Sequence, residues 1–307
     1  MATTDNMALQ YHVETAYGET APSPAPTQSV LLITSETLTT AFQTIESEAV
    51  VGDRQVQDIV RVGRICEGDI NFELNYGNLD LLLQGALADA WTSNLLENGS
   101  TLISYGLEKN FSDLSIFYRF AGARVNTFGL DMALQSMITG SMGMMAKGGV
   151  FAASTIGDGS PTAATSNTPM VTLSTLTLNE GGTGISCPTA FSFQTTNELR
   201  QRRCLGDDDI SGINLGIFRV TGTLEAYFES RAYVDKLIAD TASDFEIVTQ
   251  DSAGNGYTWT FPQFKFTTLE GPGNSGRSSD VMQTLGWTAY SDPSSGKTMT
   301  VTRADAP

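Results

Sequence analysis

An arrangement written twice constrains this chain more than any single residue in it. Gly68-Asp-Ile-Asn-Phe-Glu-Leu74 runs through a turn into Asn78-Leu-Asp-Leu-Leu-Leu83. At a spacing of 154 residues, Gly222-Thr-Leu-Glu-Ala-Tyr-Phe228 runs into Ser230-Arg-Ala-Tyr-Val-Asp-Lys-Leu237. Ile70, Phe72 and Leu74 alternate with Asp69, Asn71 and Glu73, the period of two that marks a strand with one wet face. Asn78 is placed to cap a helix whose apolar residues fall at Leu79, Leu82, Leu83, Ala86, Leu87, Ala90 and Trp91. That stripe should lie against a sheet. The second copy predicts a helix capped by Ser230 and carrying Tyr233, Val234, Leu237 and Ile238. Asn98-Gly99 and Asn255-Gly256 read as tight hairpin turns. Residues 101–109 match 257–265 at a spacing of 156, and residues 138–146 are answered by 282–290. A unit written twice, with no catalytic residues between the copies, suggests a building block for a ring or tube.

Abundant Thr, Ser, Gly, Phe and Tyr with few Lys favours strands and turns, so a mainly β chain is expected. Residues 1–28 read as an N-terminal arm, because Ala21-Pro-Ser-Pro-Ala-Pro26 favours polyproline II and forbids ladder pairing. The arm is either a disordered tail or a strap over a neighbouring subunit. A first unit spans 29–147, with a short buried strand at 30–33, an extended hairpin or loop at 34–58 and strands at 60–74, 101–109, 112–120, 122–130 and 135–146. The small, polar, Gly- and Pro-rich stretch 148–169 is the best linker candidate. A second unit spans 170–295, with strands at 190–195 and 218–228 flanking a long charged loop at 198–216. Residues 296–307 form a C-terminal arm.

The chain carries 34 acidic against 17 basic residues, a net charge of −17. Gripping nucleic acid needs a basic stripe that neutralises phosphates, and only short basic spots such as Arg200, Arg202 and Arg203 are present. DNA passing through an acidic channel that does not hold it is compatible with this charge. So is a charge that only maintains solubility. Cys66, Cys187 and Cys204 lack C-x-x-C spacing, which argues for buried reduced thiols rather than disulfides or zinc. Asp207-Asp208-Asp209 lacks the ligand spacing and bidentate Glu of an EF-hand, so a solvated or stacking loop is expected, not a metal site. His12 has no partner motif, and no G-x-S-x-G, H-E-x-x-H or P-loop is present. Gly181-Gly-Thr-Gly184 reads as a turn and Met142-Gly-Met-Met145 as core or interface packing. No enzyme activity and no cofactor are expected. No apolar run approaches the roughly 18 residues of a membrane span. Met-Ala-Thr-Thr-Asp-Asn offers no signal-peptide features, so a protein assembled in a cytoplasm is expected.

Taken in order, the segments Tyr11-His-Val-Glu-Thr-Ala-Tyr-Gly-Glu-Thr-Ala-Pro22, Ser35-Glu-Thr-Leu38, Asp53-Arg-Gln-Val56, Gly68-Asp-Ile-Asn-Phe-Glu-Leu-Asn-Tyr-Gly77, Arg219-Val-Thr-Gly-Thr-Leu-Glu-Ala-Tyr-Phe-Glu229 and Lys297-Thr-Met-Thr-Val-Thr-Arg303 resemble the tail tube proteins of long-tailed bacteriophages. Each motif is weak alone; their succession along nearly the whole chain carries the resemblance. It implies two tandem β-sandwich or half-barrel units, each with a flanking helix, in a virion protein assembled in the host cytoplasm. Units would join side by side into rings that stack into a tube. The tube would guide the tape measure protein and later DNA, without specific binding, and would meet tail terminator and tail tip proteins. Two units per chain favour a trimer with pseudo-sixfold symmetry; a hexamer fits if the second half lies outside the barrel. Ring stacking is expected from the loops 44–58 and 200–216, with Glu46, Glu48, Asp53, Arg54, Arg200, Arg202, Arg203, Asp207, Asp208 and Asp209 as interface residues. A secreted β-sandwich adhesin, a capsid decoration protein and a tail terminator are the competing readings.

Overall fold

Alternating apolar and polar residues dictate strands with one dry face, and such strands must stack in layers to bury it. In the computed structural model, which describes residues 6–50, 52, 54–173, 176–273 and 278–304, they do so around two long shared strands. The first half contains β1 (Met7–Val13), β2 (Ser29–Leu31), β3 (Ser35–Glu36), β4 (Thr39–Glu46), β5 (Ile59–Glu73), α1 (Asp80–Leu87), β6 (Leu95–Glu97), β7 (Tyr105–Phe111), β8 (Ile116–Ala133), β9 (Thr139–Ala146) and β10 (Gly148–Ala152). The second contains β11 (Thr177–Glu180), β12 (Thr183–Gly184), β13 (Pro188–Thr196), β14 (Arg200–Arg202), β15 (Gly212–Asn214), β16 (Arg219–Tyr227), α2 (Ala232–Ile238), β17 (Ser243–Gln250), β18 (Gly256–Glu270), β19 (Met282–Ala289) and β20 (Thr300–Ala304).

Eight of these strands form one antiparallel main sheet in the order β4–β5–β9–β8–β13–β16–β19–β18. β8 and β18 each serve two layers. The C-terminal part of β8 lies in the main sheet, while its N-terminal part pairs with β7 and β10. β18 behaves alike: residues 264–270 pair with β19 and residues 256–260 pair with β17 and β20. The strand order β4–β5–β9–β8–β7–β1 in the first half is thus repeated as β13–β16–β19–β18–β17–β11 in the second.

The bends fall at matching places. β8 slips register between Val125 and Thr127 opposite Gly143; β18 slips between Phe266 and Thr268 opposite Gly286. Thr127 Oγ1 accepts a 3.1 Å hydrogen bond from the Gly143 amide. A Cβ added at Gly143 would sit 2.4 Å from Thr127 Oγ1, and one at Gly286 2.3 Å from Thr268 Oγ1. Both sites therefore demand glycine because the threonine at the bulge closes over them.

Between the layers lies one continuous hydrophobic cluster. In the second half, Phe191, Phe193 and Trp287 of the main sheet meet Phe245, Trp259 and Phe261 of the covering layer, with ring centroids 5.0–5.6 Å apart for Phe193–Phe261, Phe191–Phe245, Phe261–Trp287 and Phe193–Trp259. In the first half, Phe72 and Phe128 stack with centroids 6.2 Å apart, and Met142, Leu9, Tyr105 and Leu82 and Leu83 of α1 are buried in the same cluster.

Several expectations need correction. Residues 7–13 are not part of a free arm: β1 pairs with β7 along its whole length and buries Leu9 and Tyr11. The C-terminal segment is no arm either, up to residue 304, because β20 joins β18 to β6 and Met299 and Val301 are fully buried. The expected linker starts as β10, and Glu108 then accepts hydrogen bonds from Thr155 Oγ1 (2.6 Å) and the Ile156 amide (2.9 Å). Asn78 does not cap α1; its side chain instead bonds the backbone of Thr165 and Ser166. α1 stops at Leu87, short of Trp91, because Ala88 turns left-handed and Gly99 and Thr101 return to bond the Leu87 and Ala88 carbonyls. Asn98-Gly99 is therefore no hairpin turn, and β7 follows a loop. The match of 101–109 to 257–265 fails for the same reason: β7 is a covering strand, whereas β18 is the long shared one. Strands expected at 112–120 and 122–130 are one strand, bent at Gly122. Ser230 does accept a 3.4 Å hydrogen bond from the Ala232 amide, but Arg231 holds the N-cap position of α2.

Two outcomes follow from this packing. Deleting residues 299–307 is expected to abolish cooperative thermal unfolding, since it strips two buried side chains and a shared strand; a melting curve identical to the intact chain would show that the segment is a dispensable arm. Burial holds the pKa of His12 below its ordinary value against the opposing pull of Glu14, Glu108 and Glu19. The unfolded chain then takes up a proton near pH 6.5 that the folded chain refuses, so stability falls as pH drops through that range. The thermal midpoint should decline from pH 7 to pH 5 more steeply in the native protein than in His12→Phe, and equal slopes would refute the assignment.

Candidate functional site

The main sheet has one dry face and one bare face, and the bare face is continuous across both halves. Directly opposed residues share a face, so Glu67, Met145; Asp69, Gly143; and Asn71, Ser141 lie side by side. The row continues through Thr127, Gly129 and Asp131, then Thr196, Gln194 and Ser192, then Arg219, Thr221, Thr223 and Glu225, and ends at Thr288, Thr284, Lys265 and Glu270. Small and polar side chains dominate. Its carboxylates are Glu67, Asp69, Glu73, Asp131, Glu225 and Glu270, while its cations are already engaged, Arg219 with Glu198, Lys265 with Asp240, and Arg124, opposite Met145, with the Ile213 carbonyl and the Tyr17 ring. The surface carries net negative charge.

The second feature is one end of the sheet. β4 and β13 lie four places apart in an alternating sheet, so they run the same way and their outgoing loops, 47–58 and 197–218, leave at one end. Residues 200–214 fold back as the β14–β15 hairpin and bury Ile210 and Ile213. Two of the three consecutive aspartates are engaged within the chain. Asp208 pairs with Arg61, and Asp209 grips Arg64 with both carboxylate oxygens, the Nη2–Oδ2 bond being 2.6 Å. Arg64 is thereby held above its ordinary pKa, chiefly by the Asp209 hydrogen bond. Arg203 donates to the Arg64 carbonyl at 3.0 Å and Arg200 to the Leu215 carbonyl at 3.0 Å.

Of the expected stacking residues, the structure brings Arg203, Asp208 and Asp209 together on β5. Glu46, Glu48, Arg54, Arg202 and Asp207 are exposed at this end without joining that cluster. Asp53 lies outside the described residues. Sequence reasoning missed Arg61 and Arg64, the in-chain partners of the aspartates. Two isolated arginines within a strand carry no local sign of a partner about 145 residues away. The expectation of three buried thiols holds for Cys66, whose pKa burial pushes up, and fails for Cys187 and Cys204, which sit exposed in turns.

A cavity of about 360 Å³ beside this end is lined by His12, Arg64, Arg119, Lys147 and Asp209. Arg64 is spent on Asp209 and Arg119 on Glu108 (3.0 Å), while Lys147 lies over the Tyr17 ring at 6.0 Å.

The third feature is the pair of main-sheet edges. Among the described residues β4 has no strand on its outer side, and residues 268–270 of β18 pair only with β19. Phe42 (56 %), Ile45 (58 %) and Ile59 (59 %) are exposed along the β4 edge. Bare, apolar edges on a layered β fold define a protein with surfaces for association. A family model described as phage tail tube protein matches residues 4–289, and the chain belongs to that family. It is accordingly a structural component of the virion tail. No curated protein matches it. Among the described residues no helix is long and apolar enough to cross a membrane.

The ion pairs that seat the 197–218 loop should be measurable. A double-mutant cycle between Arg64 and Asp209 in chemical unfolding is expected to give a coupling of about 1 kcal/mol, small because both side chains stay partly wet. Arg64→Asp with Asp209→Arg should recover much of the single-mutant loss; zero coupling would show that the loop is seated by Ile210 and Ile213 alone.

Proposed function

We propose that the chain assembles into stacked rings forming the tail tube, a conduit through which DNA leaves the virion. The supporting observation is the continuous eight-stranded sheet with bare edges at both ends and an acidic face, covered only at its Met145 end by the β14–β15 hairpin among the described residues. An even number of alternating strands leaves the two edges antiparallel to one another, so identical copies can pair edge to edge. Closure then removes both main-sheet edges, the standard remedy for an exposed strand. The repeated strand order and matched bulges support two copies of one tube unit, the first reaching back from the expected 29–147 to take in β1 and the second lying within the expected 170–295. Because β13 pairs directly with β8, both units share one sheet, which favours three chains over six. Three chains give twenty-four strands; at about 4.8 Å spacing and about 40° tilt they enclose a cylinder roughly 45–50 Å across the backbone.

The bare face then lines the channel. Its carboxylates repel phosphates, and its Thr, Ser and Gly residues offer neither the cations nor the aromatic platforms that retain nucleic acid. The exposed loops at the 47–58 and 197–218 end contact the next ring, with Glu46, Glu48, Asp53, Arg54, Arg200, Arg202 and Asp207 available and Asp208 and Asp209 acting chiefly to hold the loop in shape. The tape measure protein occupies the channel before DNA does, and terminator and tip proteins close the tube's ends.

Negative-stain microscopy of the purified chain should show rings or tubes of constant bore; a monodisperse monomer at all concentrations would overturn the proposal. Reversing the lining charge with Asp69→Lys, Asp131→Lys and Glu225→Lys should leave the bore unchanged but make tubes retain DNA at low salt and release it as salt rises. Native tubes that retain DNA equally well would refute the charge argument.

A further inference from the structure

The junction between β8 and β13 joins the two halves inside one chain, and the repeat makes it a template for the junction between chains. Partners across the sheet fix which positions correspond. Glu67 faces Thr39 on one side and Met145 on the other; Thr221 faces Gln194 and Thr288 in the same places. Thr39 therefore corresponds to Gln194. Likewise Gly143 faces Thr127 and Gly286 faces Thr268, each just past a register slip, while Ser141 faces Gly129 and Thr284 faces Glu270. Thr268 thus corresponds to Thr127 and Glu270 to Gly129. Within the chain, Thr127 pairs with Thr196 and Gly129 with Gln194. Resting on the ring reading above, we propose that β18 of one copy pairs antiparallel with β4 of the next so that Thr268 faces Ala41, Leu269 faces Thr40 and Glu270 faces Thr39.

The residues around the two junctions support this register. Asn197, next after β13, is buried and donates to the carbonyls of Ala86 and Val125 at 3.0 Å, which ties β13 to α1. The corresponding residue beyond β4 Ala41 is Phe42, 56 % exposed. Gly85 and Ala86, the sixth and seventh residues of α1, correspond to Leu237 and Ile238 of α2, and Val125 corresponds to Phe266. Ile238 is 77 % exposed, and α2 has no buried residue although α1 is well buried. The polar tie inside the chain is thus replaced between chains by an apolar one. Phe42 of one copy seats on Leu237, Ile238 and Phe266 of the other, supplying the cover α2 lacks.

Cysteine cross-linking in assembled tubes tests the register, in a Cys187→Ser, Cys204→Ser background that removes the exposed native thiols. Directly opposed residues have Cα atoms about 4.5–5.5 Å apart, within disulfide reach. Ala41→Cys with Thr268→Cys, or Thr39→Cys with Glu270→Cys, should give a ladder of linked chains ending at a closed ring on a non-reducing gel. Gln43→Cys with Glu270→Cys, shifted by four residues, should not. Tubes that form but link only through the shifted pair, or through none, overturn this register while leaving the tube reading intact; a native chain that never forms rings removes the reading beneath it. Phe42→Ala should raise the concentration needed for assembly at least tenfold with an unchanged melting temperature, and assembly at the native concentration would remove the aromatic anchor.

Discussion

Everything in this molecule depends on two strands that each belong to two layers. Close to where they leave the main sheet, β8 and β18 each carry a bulge at which a threonine closes over a glycine on the neighbouring strand. A bulge sharpens the local twist and re-aims the strand, so the N-terminal half of each can fold over the dry face it has just left. The sandwich is closed by the same chain segment that builds the sheet. The aromatic core forms because that return places Phe245, Trp259 and Phe261 against Phe191, Phe193 and Trp287.

One consequence is a division of labour between faces. Most of the burial lies on one side of the main sheet; the other is covered at one end, where the β14–β15 hairpin sets Gln201 against Met145. That face is composed of Thr, Ser, Gly and carboxylates, residues that ask nothing of a neighbour except water. Edges are treated in the opposite way. β1, β7 and β20 are paired on their flanks, but β4 and the end of β18 stay bare and carry Phe42, Ile45 and Leu269. Edges left like this are surfaces for association with further strands.

Much of the second half's layout was legible because its signals are local. Strands were expected at 190–195 and 218–228, where β13 and β16 lie, and the matching sheet-to-helix segments at Gly68 and Gly222 pointed to the repeated strand order. The errors came where a distant segment decided the outcome. Asn78 looks like a helix cap, yet its amide side chain is taken by Thr165 and Ser166. Asn98-Gly99 looks like a hairpin turn, yet it closes α1 and fixes the C-terminal segment through Asn98 Oδ1, which accepts from the Thr298 (2.7 Å) and Met299 (3.0 Å) amides. The termini look like polar arms, and their alternation was too brief to reveal strands whose partners lie far along the chain.

The sequence by itself determined the strand-rich class, the repeated sheet-and-helix order, the acidic charge and the family, because periodicity, composition and motif order are properties of the chain alone. Only the tertiary structure decided which carboxylates share the bare face, that Asp208 and Asp209 turn inward to Arg61 and Arg64, and which strands are left without partners. Those outcomes depend on register across the sheet, and a shift of one residue would send every side chain to the opposite face.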